Sequence, residues 1–259
     1  MAPLITLTTD FGTRDAYAAV MKGVILNFCP DARVVELTHD IPPQDVFEGA
    51  LFLAEAAPYF PPGTIHCVVV DPGVGTARLP IVVSAGDHIF ACPDNGVLTL
   101  YTRQHPIHEA RMITNPRFMR GSISATFHGR DIFAPAVAAL TRGVPIQDAG
   151  ERLTALTMLE IPEVRKSEEG LIEGIVMHVD HFGNAITNIN RVHFGDRTAT
   201  EIRIGLHRFS SVHETYGDVE PGHAVVLFGS SDYLEIAVHR GNARKQLGLA
   251  RGTRVEVRF

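Results

Sequence analysis

An aspartate and an arginine seven residues apart in VVVDPGVGTARLPIVV (68–83), and a histidine in TFHGRDIF (126–133), are the side chains of this sequence whose types most directly suggest chemistry. Asp71 and Arg78 bracket a glycine-rich turn between two apolar runs, and His128 stands just ahead of another. A carboxylate, a guanidinium and an imidazole brought together at neighbouring strand ends form a set able to hold and activate a water. Asp10 in TTDFG, and Asp94 with Asn95 in CPDNG, occupy comparable places. Taken singly, Asp-Pro-Gly and Asp-Asn-Gly are also good turn sequences, and an Asp after a strand often caps the next helix. Taken together they point to a site, because a fold needing only turns could use Asn, Ser or Gly there.

The elements that must position these residues are legible in the hydrophobic pattern. LITLTT (4–9) reads as a buried strand ending in DFG, and DAYAAVMKGVILNF (15–28) spaces its apolar residues for one helical face. The alternation continues with RVVELT (33–38), DVFEGALFLAEAAPYF (45–60) and TIHCVVV (64–70), which predicts an α/β layer with helices against a mainly parallel sheet. Ligands of such open sheets bind outside the carboxyl ends of the strands, where the polar clusters fall. DIFAPAVAALTRG (131–143) reads as a further helix, and IPEVRKSEEG (161–170) concentrates proline and charge as a linker does. We therefore expect an N-terminal α/β domain over 1–160 carrying the Asp, Arg and His. A smaller C-terminal β-barrel-like domain is expected over 171–259, where short alternating runs such as LIEGIVMHV, AVVLFG and YLEIAV are separated by Gly, Asp and Pro.

Composition narrows the classes of partner. With 259 residues and 45% hydrophobic content the chain can bury a substantial core, and a net charge of −6 without a basic block gives nucleic acid no electrostatic footprint. Cys29, Cys67 and Cys92 form no C-x-x-C pair, so a reducing, cytoplasmic setting is expected. No apolar run approaches a membrane span, and the 13 histidines show no H-E-x-x-H or similar spacing, so neither a membrane nor a metal is expected. No G-x-G-x-x-G or Walker sequence is present.

Six motifs in order, TTDFG, VVDPGVGTAR, PDNG, FHGRDIFAP, DHFGNAITN and SSDYLEIAV, resemble those of the S-adenosyl-L-methionine (SAM) hydrolase family, the SAM hydroxide adenosyltransferases, relatives of fluorinases and chlorinases. The resemblance covers nearly the whole chain. It implies a homotrimer with sites between the N-terminal domain of one subunit and the C-terminal domain of the next. It also implies attack of water on C5' of SAM, giving adenosine and methionine, with SAM as substrate and no separate cofactor. Asp71, Arg78 and His128 match the family's water-handling triad. A sulfonium departs without acid assistance, so the protein has mainly to align the water and accept its proton. Of the three, His128 is the expected acceptor, since its ordinary pKa lies near neutrality. A guanidinium stays protonated, which leaves Arg78 to orient the water and pair with Asp71.

By the same resemblance Asp10 receives the ribose hydroxyls, and Asn95 joins the substrate contacts. Asp180 and Asn184 match groups facing the methionine portion and ribose, and Phe182 matches one wall of the adenine site, with Tyr216 as the opposite wall. Ser230, Tyr233 and Glu235 match the methionine amino-acid group, and Val238 is matched to adenine through its backbone. The halogenase pattern has Tyr where this chain has Asp71, Thr at Val74, and Tyr-Ser at His128-Gly129; Gln44 also replaces a Trp that borders the halogenase sugar site. Three other readings stand beside hydrolysis: a 5'-halogenase, a nucleosidase that would release adenine, and a silent SAM or adenosine sensor that could discard the triad.

Overall fold

The computed structural model describes residues 4–167 and 170–259, in two compact units, Met1–Leu159 and Glu160–Phe259. The first unit runs β1 (Leu4–Thr9), α1 (Tyr17–Phe28), β2 (Arg33–Thr38), α2 (Val46–Ala56), β3 (Ile65–Val69), β4 (Pro80–Ala85), β5 (His88–Pro93), α3 (Thr99–Gln104), β6 (Ile107–Met112) and α4 (Ala134–Thr141). Its strands form one sheet in the order β2-β1-β3-β5-β4-β6, in which β2, β1, β3 and β5 run parallel and β4 is antiparallel to both its neighbours. The sheet is therefore parallel-rich, as the alternation of strands and helices predicts, with a hairpin at β4–β5 as the exception.

Helices cover both faces, which explains why β3 is buried at every position rather than alternating. Ile65, Cys67 and Val69 pack with α1 and α4 through Met21, Ile25 and Val137. Val68, from the other side of the pleat, packs with Leu53 of α2 and Tyr101 of α3. Two helices differ from their expected spans for local reasons. The segment 45–60 begins with Asp45 accepting the Glu48 N–H, but its α-helix stops at Ala56 and a 3₁₀ turn follows over Ala57–Tyr59, where Pro58 has no N–H to donate. The segment 131–143 begins inside a π-turn over Gly129–Phe133, and its α-helix, α4, starts only at Ala134 and ends at Thr141.

The second unit contains β7 (Arg165–Lys166), β8 (Ile172–Val179), β9 (Ala185–Asn190), α5 (Arg191–Phe194), β10 (Glu201–Ile204), β11 (His207–Phe209), β12 (Ala224–Phe228), β13 (Tyr233–Val238), α6 (Ala243–Leu247) and β14 (Arg254–Arg258). Its strands pair antiparallel in the order β11-β10-β14-β8-β9-β13-β12, with β7 beside β8, and an isolated bridge from His213, in the segment after β11, to Leu227 of β12 leaves a nearly closed barrel. Ile172, Ile189, Ile202, Leu234, Ile236 and Val257 fill it. The stretch 161–170, read above as a linker, supplies β7, which pairs with β8; Glu168 and Glu169 of that stretch lie outside the described residues. No helix among the described residues is long and apolar enough to cross a membrane.

Candidate active site

The loop joining β3 to β4 carries both Asp71 and Arg78, and its glycines explain its shape. Gly75 has φ of +76°, and a Cβ there would lie 2.3 Å from the Ala125 carbonyl oxygen, so this loop and the segment before His128 touch only because residue 75 has no side chain. Asp71 continues the pleat of Ile65, Cys67 and Val69, whose side chains face α1 and α4. Asn95 braces the strand end from below by donating to the Val70 carbonyl at 2.8 Å.

Asp71 and Arg78 are bound in a fork: Arg78 Nε donates to both carboxylate oxygens, at 2.8 and 3.0 Å, and Arg78 Nη2 donates to Oδ2. Both side chains are over nine-tenths buried, and the guanidinium also lies over the Phe133 ring, 5.3 Å from its centroid. Arg78 Nη2 then reaches His128 Nδ1 at 2.8 Å. Because a guanidinium only donates, Nδ1 accepts, and the proton of the neutral imidazole sits on Nε2. The pKa of His128 lies below the ordinary histidine value, through burial first and the Arg78 charge second, with Asp71 and Asp131 opposing.

Asp10, Asp71 and His128 line one cavity of about 340 Å³ together with Val74, Gly129 and Arg130, so of the positions that separate this chain from the halogenase pattern Asp71, Val74, His128 and Gly129, though not Gln44, line the same cavity. Asp10 accepts the Gln44 N–H at 2.8 Å, and Gln44 holds a positive φ of 66° to present it. Three aromatic rings absent from the sequence-based site complete the cavity. Phe11, Tyr17 and Phe127 stand edge to face or tilted, with centroids 5.2 to 6.0 Å apart. The signal for two of them was adjacency, since Phe11 follows Asp10 and Phe127 precedes His128.

The second unit gathers its own polar cluster in the β8–β9 turn and on β13. Asp180 accepts from the Asn184 amide N–H at 2.7 Å and from its side chain at 3.1 Å, which closes the turn. Phe182 stands at the tip of this turn, 71% exposed, and Asn242 holds its carbonyl at 2.9 Å. Tyr216 donates to Glu235 at 2.8 Å, and burial with that bond pushes the phenol up to about 12. The Glu235 carboxyl is raised as well, by burial and by the charge of Asp180, against the opposing bond from Tyr216. Ser230 is exposed and Tyr233 half-buried at the start of β13. Val238 packs into the barrel core while its carbonyl accepts from the Gly241 N–H.

The architecture is a parallel-rich α/β unit with a hydrogen-bonded Asp–Arg–His chain beside a cavity, followed in sequence by an antiparallel barrel unit with an acidic cluster. Residues 5–150 match the SAM hydroxide adenosyltransferase N-terminal domain and residues 174–256 match its C-terminal domain, and the chain belongs to this family. It is 40% identical to an (R)-S-adenosyl-L-methionine hydrolase of Salinispora tropica, over 98% of this chain and 97% of that protein. A fluorinase of Actinoplanes sp. is 28% identical over 91% of this chain and 90% of its own. The crystal structure of an uncharacterized conserved protein from Thermotoga maritima superposes with a TM-score of 0.91 at 37% identity, covering 98% of this chain and all of that one.

Proposed function

We propose that this chain hydrolyses S-adenosyl-L-methionine at C5', releasing adenosine and methionine. The observation that carries the reading is the unbroken hydrogen-bonded chain Asp71–Arg78–His128 at the wall of the cavity that also holds Asp10. As the water oxygen bonds to C5', the C–S bond breaks with its electron pair going to sulfur, and methionine leaves as a neutral thioether. The attacking oxygen becomes strongly acidic as it bonds, so a carboxylate suffices to take its proton. The Arg78 bond to Nδ1 supports a revision of the roles expected above. His128 offers Nε2–H to orient the water, and Asp71 accepts the proton before passing it to solvent.

The name of the Salinispora relative adds what residue types alone did not suggest, the configuration at sulfur. Attack at C5' is chemically indifferent to that configuration, so a preference for the (R)-epimer would be exerted by the surfaces that hold the methyl group and the methionine chain. The substrate is a sulfonium that also bears an ammonium, and the Asp180–Glu235 pair suits that positive charge. We place the methionine and adenine contacts on Asp180, Phe182, Asn184, Tyr216, Ser230, Tyr233, Glu235 and Val238 of a neighbouring subunit in a cytoplasmic homotrimer, with Asn95 supporting the triad strand. No separate cofactor is required. Halogenation is disfavoured because Asp71 presents a carboxylate, and Val74 and Gly129 no hydroxyl, where an anion would have to be desolvated. Incubation with each sulfonium epimer separately, with products separated by chromatography and identified by mass, tests the reading: adenosine should form, faster from the (R)-epimer. Adenine as the main product would replace it with a nucleosidase.

A further inference from the structure

Asp131 is the most heavily engaged carboxylate near the cavity, and none of the roles above uses it. It is fully buried, in the middle of the π-turn that follows His128. Its oxygens accept from Arg130 Nε at 2.7 Å and Nη2 at 2.8 Å, from the Ser124 N–H at 2.9 Å, and lie 3.1 Å from Arg120 Nε. Its carbonyl accepts the Arg120 N–H and its own N–H donates to the Phe127 carbonyl. One residue thus closes the excursion 120–131, which contributes Ser124, Thr126, Phe127 and His128 to the cavity. Arg130, held by this carboxylate, lies over the Phe127 ring at 5.2 Å from its centroid.

A buried carboxylate is costly without partners, and removing its charge would leave two guanidinium groups and an amide facing a weaker acceptor. The π-turn fits the same purpose. An inserted residue in a helix re-aims the side chains on either side of it, and such turns recur at functional sites. We propose that Asp131 is a positioning residue of the hydrolytic site, holding the wall from Ser124 to Phe127 and the imidazole of His128 in register with Asp71. This inference rests on the hydrolytic reading and adds to it the residue that maintains one wall.

The charged groups acting on His128 are Arg78 and Asp71 from the β3–β4 loop and Asp131 from the π-turn, with Arg130 and Asp10 on the same cavity. Removing one charge around Asp131 should therefore move the titration of His128 with a sign set by that charge. In Asp131→Asn, which loses a negative charge, the midpoint should fall by on the order of half a pH unit, and kcat/KM at the plateau by on the order of tenfold, mainly in kcat. In Arg120→Gln, which loses a positive charge on the far side of Asp131, the midpoint should rise by a smaller amount while the plateau rate stays within about twofold. The midpoint is read twice, from the acidic limb of the SAM hydrolysis profile and from the His128 ring protons by NMR without substrate.

Opposite shifts in the two variants support the proposal. A lowered melting temperature with an unmoved midpoint and unchanged kcat/KM in Asp131→Asn would overturn it and leave Asp131 a purely structural anchor. If Asp131→Asn does not fold, Asp131→Glu, which keeps the charge but displaces the carboxylate from Arg130 and Ser124, takes its place, and an unchanged kcat/KM there overturns the proposal. If the wild-type protein forms no adenosine, the hydrolytic reading fails, and the NMR midpoints still decide whether Asp131 governs His128.

Discussion

His66 and Asp71 lie five residues apart on one strand and its exit, yet they face opposite layers of the sheet and meet opposite fates. On the α2–α3 side His66 is buried among Phe60, Phe90 and His88, stacked on Phe90 at 5.0 Å, with Nδ1 bonded to Thr6 Oγ1 at 2.7 Å. Its Nε2 and the Nδ1 of His88 are buried without a hydrogen-bond partner. Burial, with the neighbouring His88, lowers the pKa of His66 to about 3. On the α1–α4 side, His128 is also shifted downward, but it is joined to Arg78 and opens on a cavity. A histidine with a displaced pKa is therefore not in itself a sign of function. The hydrogen-bonded link to Arg78 and Asp71 and the access to a cavity separate the imidazole of the candidate site from the packed one.

The contrast is sharpest if the chemistry is removed. Asp71→Asn, which loses the proposed proton acceptor, and His128→Ala, which loses the group that orients the water, should each lower turnover by about a hundredfold or more, with SAM binding retained in a calorimetric titration. Unchanged turnover in either variant would take that residue out of the mechanism. A smaller loss is expected from Gly75→Ala, which forces the Asp71 loop away from Ala125. Turnover should drop by on the order of tenfold and the melting temperature by several degrees.

The packed histidine predicts a stability effect instead. Its folded pKa is depressed, so its contribution is present in full above the unfolded value near 6.5 and is lost as the pH falls from there towards about 3. The loss amounts to about 5 kcal/mol over that window. His66→Phe should flatten the dependence of denaturation midpoint on pH below about 6 and cost roughly 1–3 kcal/mol at pH 7, because Thr6 loses its partner. Hydrolysis at pH 7 should be unchanged. An unaltered acid profile would show that His66 is not the group that sets it. The smallest effect is expected from chloride. High concentrations should yield no 5'-chloro-5'-deoxyadenosine and at most a mild slowing, which mass spectrometry of the nucleoside fraction would detect.

Much of this was legible in the residues. The alternation of apolar segments announced the layered sheet, which follows from local pattern, and the places of Asp71, Arg78 and His128 in the sequence pointed to a candidate site. Less local features were hidden. Nothing in GTRDAYAAV marks Tyr17 as a cavity wall, since its position depends on where α1 packs against the π-turn. The Arg78–His128 bond, from which we propose Asp71 rather than His128 as proton acceptor, depends on a contact across 50 residues. Asp131 reads in sequence as one more charge beside Arg130, and only its complete burial shows its load.

If Asp71, Arg78 and His128 direct a water molecule onto C5', hydrolysis of SAM in ¹⁸O-labelled water will show it in the position of the label. Adenosine and methionine should form in equal amounts, with the label on the 5'-oxygen of adenosine and none in methionine, and His128→Ala should give no labelled adenosine within the same time. Unlabelled adenosine, free adenine, or a 5'-halogenated nucleoside formed at a comparable rate would contradict it.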